Sequence, residues 1–381
     1  MENIEKYFLS HQDAYMNTLE ALVNMDSQSS DMDGIAKVAG FCHSFLCGIS
    51  GVKSDIITLE NGRCFVKACL EGTKKQNVLI ICHMDTVFPK GTAHDRPFKI
   101  EGDRAYGPGV ADMKAGLTSA LYLLKAISES TQSSFPTITL FLSSDEETGS
   151  LDSRKHIEEL AMQNDVVLVF EPGRANGDVV TGRKGIGDYQ IVCRGLAAHA
   201  GTNHQDGYNA IVELAAKVVE LSNLTNYEKG TTLNVGTITG GTGTNVVPDY
   251  AEIRVDVRFQ QLSEVAPTEA AIRKIVDSVY VEGVTTQLLG GLNRPPMEEN
   301  GKNLRLYSQY SSTAEKLGYT IGRQYVGGGS DGNITGALGI PTLDGLGPCG
   351  SGFHGDQEYM ELSSIVPRLC VAYSFIQDIS L

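Results

Sequence analysis

The sequence lacks the long apolar runs that membrane-spanning helices need. Its longest apolar runs, at residues 78–82 and 166–170, have the length of strands. The amino terminus also lacks the apolar core of a secretory signal peptide, because charged and polar residues are mixed through its first 20 residues. We therefore expect a soluble protein that is made and kept in the cytoplasm and has no membrane partner.

Positive charge is scarce, with 31 Lys and Arg residues against 46 Asp and Glu residues and a formal net charge of −15. A negative field of this size repels phosphate backbones, so the composition argues against a nucleic-acid partner. The eight cysteines form no C-x-x-C pair, which leaves no signal for a zinc knuckle or a redox motif. The remaining composition, 41% apolar and 20% charged over 381 residues, predicts a globular protein of about two domains.

Strands and helices alternate in the first half of the chain. Apolar runs at residues 77–82, 137–142 and 166–170 predict strands that are buried on both faces, and a helical apolar pattern follows Asp112. Such alternation is typical of a sheet whose strands are mostly parallel and carry helices on both faces. We therefore predict an α/β fold for this part of the chain.

The pattern changes after residue 182. The segment Tyr250–Phe259 alternates strictly between apolar and polar residues, which is typical of an antiparallel strand with one face in water. Two amphipathic helical patterns accompany it. We predict that residues 183–292 form an inserted α+β domain, and that residues 1–182 and 293–381 together form the α/β domain.

Ionisable side chains follow each predicted buried strand, and one more lies in a loop just before a helix. These residues are His83, Asp85, Asp112, Glu146, Glu147 and Glu171. The carboxyl ends of parallel strands meet at one edge of a sheet, where ligands bind, so we expect these side chains to gather in one cleft. Because clustered carboxylates repel each other and are costly to desolvate, the pattern predicts one or two divalent cations there.

Two pairs among these residues suggest a division of roles. His83 and Asp85 share a face in extended chain, which lets Asp85 accept the second ring N–H of His83; the alternative is a surface histidine beside an unrelated aspartate. Glu146 and Glu147 are adjacent and point in different directions, so one can bind a metal while the other reaches a bound water. The alternative for this pair is a solvated run of charge before a helix.

Seven short motifs occur in order along nearly the whole chain. They are H-M-D-T-V (83–87), G-P-G-V-A-D-M-K-A-G (107–116), S-D-E-E-T-G-S (144–150), E-P (171–172), A-H-A-G (198–201), G-G-G-S-D (327–331) and F-H-G-D-Q-E-Y (353–359). This set resembles the dizinc exopeptidase and amidohydrolase family, which includes glutamate carboxypeptidase, aminoacylase, acetylornithine deacetylase and succinyl-diaminopimelate desuccinylase. The resemblance implies a mostly parallel-sheet zinc-exopeptidase domain with an inserted α+β lid and dimerisation domain.

The resemblance also implies two Zn²⁺ ions, with Co²⁺ or Mn²⁺ as possible replacements. Their ligands would be Asp112 as the bridge, His83 and Glu171 at one ion, and Glu147 and His354 at the other. Glu146 would act as the general base and acid, and Asp85 would orient His83. Each ion would then have three protein ligands, which leaves positions for water and for the scissile carbonyl.

Residues of the insert are assigned by the same resemblance. His199 would reach the active site of the partner subunit and polarise the scissile carbonyl, which implies a homodimer formed through the insert. Arg258, Arg294 and Asn245 would hold the free carboxylate of the substrate, a task that suits arginine; surface salt bridges are the alternative for both arginines. Gly329 belongs to a glycine-rich segment that could cradle an anionic group, with a plain turn as the alternative.

We therefore expect metal-dependent hydrolysis of an amide bond. The first hypothesis is a carboxypeptidase-type exopeptidase, similar to glutamate carboxypeptidase, that acts on short peptides or N-acyl amino acids with a free carboxylate. An N-acyl-amino-acid deacylase or a di- or tripeptidase is the second. A metal-binding scaffold without activity is the third, which the presence of Glu146 and of all five ligands disfavours.

Overall fold

The structure is a computed structural model that describes residues 2–130 and 134–379. The chain divides into two compact units. The first consists of Met1–Gly182, Glu299–Val326 and Ser330–Leu381, and the second consists of Arg183–Glu298 with Gly327–Gly329. The second unit is therefore inserted into the first, and a short glycine segment farther along the chain also belongs to it.

Helices and strands alternate through the described residues. The helices are α1 (Glu2–Ser10), α2 (Gln12–Val23), α3 (Met32–Cys47), α4 (Thr92–Asp95), α5 (Gly116–Ser128), α6 (Arg154–Met162), α7 (Ala210–Ser222), α8 (Val265–Asp277), α9 (Gly301–Lys316), α10 (Gly332–Ala337) and α11 (Ile365–Asp378). The strands are β1 (Val52–Thr58), β2 (Cys64–Leu70), β3 (Asn77–His83), β4 (Lys99–Glu101), β5 (Arg104–Tyr106), β6 (Thr137–Ser143), β7 (Val166–Val169), β8 (Val179–Arg183), β9 (Gly185–Arg194), β10 (Ala198–His199), β11 (Thr232–Gly240), β12 (Val246–Val247), β13 (Tyr250–Phe259), β14 (Thr285–Arg294), β15 (Arg323–Val326), β16 (Thr342–Leu343), β17 (Gly350–Ser351) and β18 (Tyr359–Glu361). Within residues 2–130 and 134–379, no helix has both the length and the apolar character needed to cross a membrane.

The central sheet of the first unit has the strand order β1-β2-β6-β3-β7-β16. Strands β6, β3, β7 and β16 are parallel to one another, whereas β2 pairs antiparallel with both β6 and the edge strand β1. The continuous apolar sequence of β3 follows from burial on both sides: Val78 and Ile80 pack with α5, and Leu79 and Ile81 pack with α6 and α10. The predicted α/β fold with a mostly parallel sheet is confirmed.

The second unit is a two-layer α+β structure. Its sheet has the order β11-β13-β9-β14 with antiparallel pairs, and the alternating apolar residues of β13 are buried beneath α7 and α8. A buried ion pair ties the two helices together, because Lys217 lies 2.8 Å from Glu213 and donates to the carbonyl groups of Ile275 and Val276 at the end of α8. The unit therefore has a core and a polar network of its own.

The second unit extends beyond the boundary predicted at residue 292. That boundary falls inside β14, which pairs with β9 as far as Arg294. Arg183 and Met297 then exchange two backbone hydrogen bonds of 2.9 and 3.0 Å, which bring both ends of the insert together. Hydrophobic patterning does not show this pairing, because it is made by backbone groups alone.

Candidate metal centre

The carboxyl ends of three adjacent strands place most of the predicted metal ligands. His83 is the last residue of β3, which lies between β6 and β7 in the sheet. Glu147 lies in the turn after β6, and Glu171 follows β7 by two residues. These side chains meet at one edge of the sheet, as expected for parallel strands.

Asp112 lies at the centre of the cluster, in a distorted helical turn (Val110–Ala115) that precedes α5. Its Oδ1 is 3.2 Å from Nε2 of His83, and its Oδ2 is 3.3 Å from Nε2 of His354. The same nitrogen of His83 is 3.7 Å from Oε1 of Glu171, and that of His354 is 3.2 Å from Oε2 of Glu147. The two oxygens of the Asp112 carboxylate therefore face two separate groups of possible metal ligands. One group is His83 with Glu171, and the other is His354 with Glu147.

The hydrogen bonding of His83 determines which ring nitrogen is available to a ligand. Its Nδ1 lies 2.9 Å from the backbone oxygen of Asp85, and because a carbonyl only accepts, Nδ1 must carry the hydrogen. Nε2 of a neutral ring is then an acceptor, and yet it faces oxygens of both Asp112 and Glu171. Only a proton or a cation between these acceptors makes the arrangement favourable.

The carboxylate of Asp85 has closer partners besides the predicted one, His83. The ring of His83 lies 3.5 Å from that carboxylate, farther than from the Asp85 backbone oxygen. The carboxylate instead accepts the hydroxyl of Ser29 at 2.6 Å and the backbone N–H groups of Glu146 and Glu147 at 3.2 Å each. Asp85 is buried, so these donors occupy an acceptor that water does not reach. Its carboxylate thus positions the turn that carries Glu146 and Glu147.

Burial and clustering shift the pKa values of the five predicted ligands. Burial raises the pKa of Glu171 well above its usual range and also raises the pKa of Glu147. Hydrogen bonds to Asp112 and Glu147 raise the pKa of His354 to about 10. Burial disfavours charged His83, but the charge of Glu171 and a hydrogen bond to Asp112 outweigh it and raise its pKa well above the usual range. Imidazole hydrogen bonds overcome the burial of Asp112 and lower its pKa. The cluster therefore attracts positive charge strongly.

The geometry of these side chains fits a pair of divalent cations. Two ligand atoms of one tetrahedral zinc ion lie roughly 3.4 Å apart, as the usual zinc–ligand lengths require. The four imidazole–carboxylate separations here are between 3.2 and 3.7 Å. Among the described residues, Oε1 of Glu147 is buried and has no hydrogen-bond partner. Imidazole nitrogen and carboxylate oxygen are both ligand types that zinc accepts.

Glu146 lies beside one half of the cluster. One of its carboxylate oxygens lies within 4.8 Å of ligand atoms of both His83 and Glu171. Its backbone is held by Asp85, whereas its side chain is directed differently from that of Glu147, which lies near His354. The two adjacent glutamates both lie near His83, and they differ in their further neighbours, which are Glu171 for Glu146 and His354 for Glu147.

The predicted residues of the insert all lie in the second unit. Strands β10 and β12 pair with His199 opposite Val246, so the A-H-A-G and T-N-V-V-P segments lie side by side. The backbone N–H of Ala200 donates to the backbone oxygen of Asn245 at 2.9 Å. The Nδ1 atom of His199 accepts the N–H groups of Gly201 and Thr202, both at 3.1 Å. Nε2 therefore carries the ring hydrogen and is the atom that can donate outward.

Arg258 already has a carboxylate partner within the second unit. Its Nε and Nη2 atoms each donate to the carboxylate of Asp256 at 2.8 Å, and its Nη1 donates to the backbone oxygen of Gly327 at 3.3 Å. Arg294 is buried and lies against Gly329, where an added Cβ would be 3.0 Å from the Arg294 side chain. The structure thus groups both arginines around the glycine segment.

Two residues that support the cluster are absent from the sequence-based assignment. Glu358 is buried and accepts three backbone N–H groups, including that of Asp112. Arg63 donates to the backbone oxygen of Ser144 and to that of Ser29, whose hydroxyl donates to Asp85. Glu358 lies four residues after His354 in a motif already noted, so a signal existed for it. Arg63 has none, because its partners, two backbone oxygens and the carboxylate of Asp152, lie in distant segments.

Comparisons with known proteins agree with this fold. The family model described as peptidase family M20/M25/M40 matches residues 79–378. Carboxypeptidase G2 from Pseudomonas sp. (strain RS-16) is 32% identical over 373 residues, which are 97% of this chain and 90% of that protein. A succinyl-diaminopimelate desuccinylase from Cupriavidus taiwanensis is 27% identical over 79% of this chain and 82% of its own length. The solved structure of a tripeptidase from Staphylococcus aureus has a TM-score of 0.81 at 22% identity and covers 96% of this chain and 98% of that one.

Proposed function

The chain belongs to peptidase family M20/M25/M40, and from this we propose that it is a carboxypeptidase-type exopeptidase that cleaves an amide bond near a free carboxylate. Substrates of this proposal are short peptides and N-acyl amino acids. The observation that carries it is the arrangement of Asp112, whose two carboxylate oxygens each face an imidazole nitrogen with a further carboxylate beside it.

We propose that this cluster holds two zinc ions, for which Co²⁺ or Mn²⁺ could substitute. Asp112 would be shared by both ions, His83 and Glu171 would hold one, and Glu147 and His354 would hold the other. When bound, such a pair supplies a water nucleophile at neutral pH and polarises a carbonyl oxygen. The carboxylate of Asp85 keeps Glu147 in place through its backbone N–H.

Glu146 is the proposed general base and acid. Support for this role is that its carboxylate lies close to the cluster and that its backbone N–H is held by Asp85. In the proposed reaction Glu146 takes a proton from the attacking water and gives it to the nitrogen of the leaving amine. The same carboxylate thus carries one proton between two steps.

A homodimer through the second unit is part of the proposal. Strand β11 is the edge strand of its sheet and has an open row of backbone groups, with Ile238 largely exposed. Helix α7 also exposes Val212 and Val219. These features support pairing with a second copy, in which His199 of one subunit would donate its Nε2–H to the scissile carbonyl in the other.

Recognition of the substrate carboxylate is assigned to Arg258, Arg294, Asn245 and the backbone of Gly329. The support is that the arginines and the glycine segment lie together in the second unit, and that a relative of 32% identity is named carboxypeptidase G2. The Asp256 carboxylate fixes the plane of the Arg258 guanidinium, which is favourable for bidentate recognition. A cytoplasmic location and the absence of nucleic-acid and membrane partners remain predictions from the sequence.

The proposal is tested by a substrate panel assayed with Zn²⁺ and with Co²⁺. We expect release of free amino acid from N-acyl-glutamate or from dipeptides, measured by chromatography. A matched pair tests the carboxylate: the carboxamide analogue of the best substrate should have a kcat/KM about 10- to 10²-fold lower, because a charge-assisted hydrogen bond is lost. Preference for acetylornithine would favour the deacylase hypothesis. Equal kcat/KM values for the best substrate and its carboxamide analogue would refute the carboxypeptidase type.

We expect His199→Ala to lower kcat by about 10²- to 10³-fold, because a donor to the developing oxyanion is removed. Metal content, measured by mass spectrometry, should be unchanged. His204→Ala is the control, since His204 is an exposed histidine of the same unit and is expected to leave kcat unaltered.

Mixing two inactive variants tests whether His199 acts across the dimer. A heterodimer of His199→Ala and Glu146→Gln subunits contains one site with both residues intact only if His199 comes from the partner. After random exchange of subunits, we expect recovery of about a quarter of wild-type activity. An absence of recovery in a mixture shown to contain heterodimers would mean that His199 acts within its own chain or not at all.

A further inference from the structure

We propose that Glu358 is a positioning residue that keeps the bridging Asp112 and the ligand His354 at a fixed position relative to each other. This inference rests on the proposed function, because it concerns the same metal centre. Glu358 contacts backbone N–H groups, so its role is exerted through other residues.

Glu358 accepts hydrogen bonds from the backbone of three residues at the start of the turn that carries Asp112. One carboxylate oxygen, Oε1, accepts the N–H of Ala111 at 2.8 Å and that of Asp112 itself at 3.0 Å. The other, Oε2, accepts the N–H of Gly109 at 3.2 Å. A carboxylate is the side chain that suits this task, because both of its oxygens only accept.

The position of Glu358 in the chain links two ligands that arrive from distant segments. It lies four residues after His354, in the turn between β17 and β18, whereas Asp112 is 246 residues away in sequence. His354 is about half exposed, and its φ of +63° is unusual for a residue other than glycine. Glu358, by contrast, is 1% exposed, so it anchors a turn whose other end projects towards solvent.

Three backbone N–H groups offset the burial of the Glu358 carboxylate. The neighbouring cation Lys114 is also buried, and its ammonium group donates to the backbone oxygen of Met25 at 2.8 Å. Glu358 therefore does not have to act as a metal ligand to be retained in the interior. Its hydrogen bonds instead fix the backbone of the turn that carries Asp112.

The test is the affinity of the purified full-length chain for Co²⁺. Glu358→Gln preserves the size of the side chain but presents an NH₂ group to at least one backbone N–H, which disturbs the turn that carries Asp112. We expect its second Co²⁺ to bind about 10- to 100-fold more weakly than in the wild type, as is typical when a group that orients a ligand is lost. Glu358→Asp, which retains two acceptors, should recover part of this affinity. Asp356→Asn is the control, because Asp356 lies in the same turn and is exposed.

The readouts separate a positioning role from a purely structural one. The visible absorption spectrum of bound Co²⁺ should change in Glu358→Gln, and the thermal unfolding temperature of each metal-free variant shows whether the fold is intact. A folded Glu358→Gln protein with wild-type Co²⁺ affinity and spectrum would overturn the inference, as would a wild-type chain that binds no divalent cation. If Glu358→Gln does not fold, Glu358→Asp decides by the same criteria. Normal metal binding by a wild type that cleaves no panel substrate would refute the proposed function alone.

Discussion

Glu146→Gln is expected to bind both metal ions normally and to lose about 10²- to 10⁴-fold in kcat. Glutamine keeps the shape of the side chain but cannot take a proton from water. The backbone N–H of residue 146 still donates to Asp85, so the turn that carries Glu147 should be undisturbed. The measurement combines kcat for the best panel substrate with metal content of the same preparation.

A surface glutamate provides the control for this substitution. Glu159 lies on helix α6 and is paired only loosely with Lys155 at 3.9 Å, both side chains being exposed. Glu159→Gln should therefore have wild-type kcat. If Glu146→Gln kept kcat within about threefold of the wild type with full metal content, the base would have to be another residue. If it lost metal as well, Glu146 would be acting as a ligand.

The sequence places one half of the centre by the ends of its predicted strands alone. His83 and Glu171 each follow an apolar run, and the rule that parallel strands end at a common edge brings them together without knowledge of any relative. Glu147 follows from the same reasoning. For these residues the hydrophobic pattern contains the needed information, because burial on both faces identifies the strands.

Asp112 and His354 lie in irregular turns. Asp112 has non-helical backbone angles within a distorted turn, and His354 adopts a positive φ. The loop position of Asp112 before a helix placed it in the cleft, but its assignment as the bridge, and the whole assignment of His354, depended on the resemblance of ordered motifs. Their proximity follows from tertiary contacts such as those of Glu358, which no local pattern encodes.

Side chains that bind backbone groups are the hardest to predict. Asp85 was expected to accept from the His83 ring, yet its carboxylate mainly holds the hydroxyl of Ser29 and two backbone N–H groups. Backbone donors are present at every position, so sequence identity does not reveal which one a carboxylate will select. The pairing of Asp256 with Arg258 could have been anticipated, because residues two apart on a strand share a face.

Asp112→Asn is expected to lose affinity for both metal ions and to lower kcat/KM by about 10³-fold or more, since several kcal/mol of transition-state stabilisation depends on bound cations. Asparagine has one acceptor oxygen, so its NH₂ group must face Nε2 of either His83 or His354, where a cation would otherwise share the contact. Metal content and kcat/KM are measured on the same protein after dialysis against a fixed free Zn²⁺ concentration.

This prediction is tested most sharply against a substitution of Glu171, the proposed ligand of one ion only. Glu171→Gln removes a charge near His83 and leaves the group around His354 and Glu147 intact. We therefore expect Glu171→Gln to retain about one ion per chain under conditions in which Asp112→Asn retains almost none. If both variants retained about one ion per chain, Asp112 would belong to a single site, because the loss of a shared carboxylate should weaken the binding of both ions.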